Sequence, residues 1–113
     1  MNLFKAKLLQ AGLSLPAASR MLDIALDTAK KWNSGRNPFQ VRTIDEVNDY
    51  LQAADMEAAR LAKMKSIGYY KNDAAAIDAG WPSKDAYDFI IAKALAIAEE
   101  QGENVSEVEF YLI

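Results

Sequence analysis

Lys30, Lys31, Arg36 and Arg42, four of the seven cations of residues 1–52, fall within a window of thirteen positions. Clustered lysine and arginine are the side chains that neutralise phosphate, so the first chemistry to weigh is polyanion binding. The bland alternative is a solvated helix face, and charge alone favours it. The net charge of the chain is −3, but its distribution is uneven. Residues 1–52 carry seven Lys/Arg against five Asp/Glu, a net of +2, and residues 53–113 carry six against eleven, a net of −5.

Catalysis has little to draw on. The chain has no histidine and no cysteine, which removes the commonest general base, the thiolate nucleophile, the disulfide framework and the zinc finger. Carboxylate pairs occur at Glu99–Glu100 and at Asp85 with Asp88. They sit at helix ends or on polar faces, where solvation is the ordinary role. No GxGxxG or GxxxxGK[ST] loop is present. The reading is therefore no enzyme, no cofactor and no metal. Tyr69–Tyr70 and Trp81–Pro82 are either an aromatic platform for a ligand or the closure of a small core, and the core is favoured.

The elements that must position the cations read as mainly α. With 113 residues, about half of them hydrophobic, the chain fits one domain or a small head with a dimerising tail. A helix is expected over residues 2–11, stopped at Gly12. A second begins at Ser14, a capping hydroxyl, with Pro16 in its first turn, and runs to about Leu22. After a break at Asp23–Ile24–Ala25, a third covers about Leu26 to Asn33, ended by Gly35 and Pro38. Thr43–Ile44–Asp45–Glu46 reads as a capping box opening a long helix to about Lys65. On it Val47, Leu51, Ala54, Ala58 and Leu61 follow a coiled-coil spacing that either self-associates or faces the core. Helices are also expected at about 72–79 and from Ser83 to Gln101, the latter with a core face of Tyr87, Ile90, Ile91, Ala94, Leu95 and Ala98. Residues 105–113 read as one strand, with no second strand evident in the chain. Its partner is either a second copy or its own core. No apolar run is long enough to span a bilayer and the N-terminus lacks a signal-peptide pattern, so a cytoplasmic protein is expected.

Residues 12–36 resemble the helix-turn-helix of lambda-repressor-like regulators of the Cro and XRE type. The shared positions are Gly12–Leu13–Ser14, Leu22, Ile24, Thr28, Trp32, Gly35 and Arg36, in register without a gap. The end at Trp32–Asn33–Ser34–Gly35–Arg36 is the most specific piece, and the resemblance covers about residues 1–40. It departs from the family at Asp23, where a glycine is usual, at Ala25, where a serine cap is usual, and at Ala29, where a larger aliphatic is usual.

The resemblance implies an N-terminal helix-turn-helix DNA-binding region over 1–42. It does not explain the remainder, 43–113, whose residues read as a helical region with a C-terminal strand that would mediate dimerisation. It implies that Leu26, Asp27, Thr28 and Lys31 face base edges, that Ser14, Lys30, Asn33, Ser34 and Arg36 lie near phosphates with Arg42 in addition, and that Trp32 is core. Leucine can touch a thymine methyl and aspartate can accept from a cytosine amine, an unusual readout pair. The implied function is a homodimeric transcriptional repressor of a nearby promoter, bound to a palindrome in double-stranded DNA. It would be of the short phage or prophage type, similar to the anti-CRISPR-associated autoregulators. The rival is an interaction module of antitoxin type, whose residues 105–113 add to a protein partner's sheet.

Overall fold

The computed structural model describes residues 1–113. The protein is mainly helical, with six α-helices, a 3-10 turn and two short strands. In chain order these are α1 Leu3–Ala11, α2 Leu15–Leu22, α3 Leu26–Ser34, α4 Val41–Leu61, β1 Ser66–Tyr69, α5 Asp73–Asp78, α6 Lys84–Glu100, the 3-10 turn Val105–Glu107 and β2 Glu109–Leu112. The chain divides into two compact units, Met1–Gln52 and Ala53–Ile113, and the boundary falls within α4. No helix is long and apolar enough to cross a membrane.

In the N-terminal unit the helices begin and end where the sequence punctuates them. Asn2 accepts from the Lys5 amide at 2.8 Å and Ser14 from the Ala17 amide at 3.2 Å, each satisfying one of the orphan donors of a helix start. The core gathers Phe4, Leu8, Ala17, Ala18, Leu22, Ala29, Trp32 and Val47. Phe4 is fully buried. It meets Trp32 edge-on at 5.6 Å between ring centroids and stacks on Phe39 at 6.2 Å. Edge-to-face aromatic pairs of this kind contribute roughly 0.5–1.5 kcal/mol beyond their buried area.

Helix α4 departs from its sequence reading at both ends. It opens at Val41, not at a Thr43 cap, and Thr43 is buried within the first turn. The Thr43 amide donates to the Gln40 carbonyl at 3.0 Å, and Glu46 lies toward Arg42 at 3.9 Å, so the capping box does not form. It closes at Leu61 because the following residues are needed elsewhere: the Lys65 carbonyl accepts from the Glu109 amide at 3.0 Å and Ser66 begins β1. The coiled-coil stripe Val47, Leu51, Ala54, Ala58 and Leu61 is buried in the single chain, which makes it core and takes it out of play as a dimer seam.

In the C-terminal unit the strand near the end of the chain has its partner in the same chain, contrary to the sequence reading of a lone strand. β2 pairs in parallel with β1, with Ser66 opposite Glu109 and Tyr69 opposite Leu112. Residues 105–107 form the 3-10 turn and are not part of the strand. Parallel strands need a long crossover, and α5 and α6 supply it. β1 was hidden in the sequence because its four residues, Ser66–Ile67–Gly68–Tyr69, are too short and too mixed to show an alternation. Gly68 is required there by proximity: a Cβ at this position would lie 2.6 Å from Ile113 Cγ1 and 3.0 Å from Tyr111 Cε2.

Ser83 caps α6 by accepting from the Ala86 amide at 3.0 Å. Tyr87, Ile90, Ile91, Ala94 and Ala98 are buried as the periodicity predicts, joined by Ala86, while Leu95 is half-buried. Tyr70 and Trp81 pack on Tyr87, at 4.9 and 5.2 Å between centroids, so these aromatics close a core. The Tyr87 hydroxyl donates to Glu57 at 2.8 Å, and Arg60 binds the same carboxylate at 2.6 and 3.1 Å. Asp55 and Lys93 pair at 2.6 Å.

Gly68→Ala is expected to displace β2, at a cost of about 1 kcal/mol for a methyl forced into occupied space beside movable side chains. Amide exchange at Tyr111 and Ile113 should accelerate about fivefold, and native-like exchange would refute the close-packing account. A second expectation concerns alkali. Burial pushes the Tyr50 hydroxyl up to about 12, and Tyr87 is raised by burial and then by its bond to Glu57. Both folded-state values are raised, so their contribution is full below the unfolded value of about 10 and is lost as pH rises through the folded values. The melting temperature should hold up to about pH 10 and fall above it. The Tyr50 hydroxyl has no partner. Tyr50→Phe should therefore be neutral or stabilising by up to about 1 kcal/mol at pH 7, and should shrink the alkaline decline.

Candidate nucleic-acid interface

Helices α2 and α3 are short, and a three-residue turn joins them. Asp23 makes the turn by adopting the left-handed conformation, φ 53° and ψ 49°, the one non-glycine residue in the chain with positive φ. Aspartate tolerates this region better than most side chains. Two bonds close the end of α2: the Asp23 amide reaches the Arg20 carbonyl at 3.3 Å and the Ile24 amide reaches that of Ser19 at 3.0 Å. Ala17, Ala18 and Ala29 are fully buried, which lets the two helices approach closely. At the far end Gly35, at φ 79°, takes the left-handed position that releases the chain from α3.

The face of α3 opposite Ala29 and Trp32 points to solvent. It brings together Leu26, Asp27, Lys30 and Ser34, all exposed, with Thr28, Lys31 and Asn33 half-buried along its borders. Leu26 is 37% exposed, high for an aliphatic with a core beside it. Asp27 and Lys31 are bound to one another at 3.0 Å across one helical turn. Lys31 is thus partly neutralised, and Asp27 also lies in the first turn of α3, where the helix dipole favours an acid. Lys30 and Arg36 are exposed and make no ion pair. Among the sequence-derived positions they are the cations without an ion pair.

The remaining sequence-derived positions are engaged locally. The Ser14 oxygen serves the start of α2, leaving its proton available. The Ser34 hydroxyl donates to the Lys31 carbonyl at 3.1 Å. Arg42 stands on the first turn of α4 beside Glu46 and is not part of the α3 face.

Two contributors were missed in the sequence. Asn2 donates from Nδ2 to the Trp32 carbonyl at 2.9 Å, fastening the start of α1 to the last turns of α3. Phe39, beyond the third helix, stacks on Phe4. Neither carries a local signal, because both contacts are distant in sequence. The Asp27–Lys31 pair was not read either, although its i,i+4 spacing is a local signal that could have proposed it. A cavity of about 470 Å³ in the C-terminal unit is lined by both Lys63 and Lys65 and by Glu103 and Glu107, so it presents no field of one sign.

Ala25 precedes α3 without a side-chain cap. Ala25→Ser should stabilise the protein by about 1 kcal/mol, and Asp23→Gly by a similar amount through relief of the left-handed backbone. Both are measurable by denaturant unfolding, and loss of stability in either would contradict the turn geometry. No family model, curated protein or solved structure matches the chain.

Proposed function

We propose that the N-terminal unit binds double-stranded DNA as a helix-turn-helix, with α3 in the major groove. The observation that carries this reading is the solvent face of α3. Lys30 is uncommitted there, on the same helix as an exposed Leu26 and anchored from behind by Ala29 and Trp32, and Arg36 is uncommitted just beyond the helix end. A rigid helix with a free cation on its exposed side and another just past its end suits a groove lined by phosphates. Leu26 would meet a thymine methyl and Thr28 a base edge, while Asp27 would accept from a cytosine amine. Ser14, Asn33 and Ser34 would lie toward the backbone. Repression of a nearby promoter from a palindrome, by two copies on half-sites one helical turn apart, is the regulatory form this reading takes.

Charge sets the expected strength. With Lys31 half-committed to Asp27, each unit offers two or three phosphate contacts, so log affinity should fall with log salt with a slope of about −2 to −3 per chain. Selection of random duplexes by the purified protein at low salt should enrich an inverted repeat. Lys30→Ala and Arg36→Ala should each flatten the salt slope by about 1 while leaving the melting temperature unchanged. Asp27→Asn should tighten binding, since it removes a charge that repels phosphate and frees Lys31. Failure to retain any duplex at low salt would refute the proposal.

A further inference from the structure

The sheet of the C-terminal unit has two strands, so the outer edge of β2 has no neighbour. The Glu109 amide donates to Lys65 at 3.0 Å and the Ile113 amide to Tyr69 at 2.9 Å, which turns the odd-numbered residues toward β1. In a parallel ladder alternate residues bond to the same side. Phe110 and Leu112 therefore direct their N–H and C=O groups to the open edge. Phe110, Tyr111, Leu112 and Ile113 are 49%, 53%, 54% and 58% exposed, four consecutive apolar side chains at the surface. The edge carries no lysine and no proline, and its guards are its shortness, four residues, and Glu109 at its start.

We infer that the open edge of β2 is a docking site for an extended segment of another protein, one that alternates apolar with basic residues and adds as a third strand. Charge selects this occupant. From Ala94 to Ile113 the chain carries five glutamates and no lysine or arginine; Glu103 and Glu107 share a cavity wall with Lys63 and Lys65, so the acidic excess rests on Glu99, Glu100 and Glu109. A second copy would bring two units of −5 together. It would also bury too little: at ~150–250 Å² per large side chain, the exposed halves of four residues offer about 400 Å². A standard interface takes about 800 Å² per partner. That area suits a peptide strand, whose affinity comes mainly from main-chain hydrogen bonds. The inference concerns the C-terminal unit and does not depend on DNA binding by the N-terminal one.

The test uses the full chain and an array of nine-residue peptides that alternate Val, Ile or Thr with Lys or Arg, read by fluorescence anisotropy. A matched array with Glu in the basic positions and a third with alternate backbone nitrogens methylated serve as probes of charge and of ladder formation. Basic peptides should bind, and the glutamate and N-methylated versions should bind at least tenfold more weakly. Leu112→Pro removes one outward donor without touching the β1–β2 ladder, and should abolish peptide binding while amide protection at Tyr111 and the melting temperature persist. Glu107→Lys with Glu109→Lys should weaken binding at least tenfold by charge alone. The inference is overturned if no basic peptide binds, if N-methylated peptides bind equally well, or if sedimentation shows a dimer that Leu112→Pro dissolves, which would give the edge to a second copy.

Discussion

Trp32 ties α3 to the start of the chain, and a third segment joins them through Phe4. Phe4 meets its ring edge-on, Asn2 bonds to its carbonyl, and Phe39 braces Phe4 from the other side. The consequence is mechanical. A nine-residue helix is too short to be stable alone in water, so α3 exists because its inner face is packed. The outer face is then free to carry residues with poor packing value, such as Asp27 and Lys30. Any function placed on that face inherits its rigidity from Trp32.

The turn before α3 shows where stability has been given up. Asp23 sits in a conformation that glycine adopts more easily, and Ala25 offers no oxygen to the orphan amides of the next helix. These two departures weaken the same junction, which the burial of Ala17, Ala18 and Ala29 must offset. The C-terminal unit is fastened differently. Tyr87 reaches from α6 to Glu57 on α4, where Arg60 completes the group and holds the Glu57 carboxyl below its usual range. The two strands then close the unit through main-chain bonds, with Gly68 making room for Tyr111 and Ile113.

Much of the helical framework could be read from residue order. Gly12, Ser14, Gly35, Ser83 and the apolar face of α6 act through neighbours within about one turn, and such local signals survive in the sequence. The solvent-facing residues of α3 were also legible, because opposing Ala29 and Trp32 leaves them no other direction. Thr43 misled for a related reason. Its pattern with Glu46 fits a cap, but burial of Thr43 and Ile44 places the helix start two residues earlier.

What the sequence determined by itself was the set of helices, their punctuation and the uneven charge, all properties of near neighbours or of composition. The tertiary structure alone decided three matters. It buried the α4 stripe inside the chain, it gave β2 a partner forty-three residues away at β1, and it tied Lys31 to Asp27 while leaving Lys30 and Arg36 uncommitted. The first two depend on contacts between segments far apart in the chain. A four-residue strand has too little pattern to announce such a contact, and a heptad-spaced stripe looks the same whether it meets its own core or another molecule. The third depends on which rotamers the packed helix leaves available, and spacing can propose that pair without fixing it.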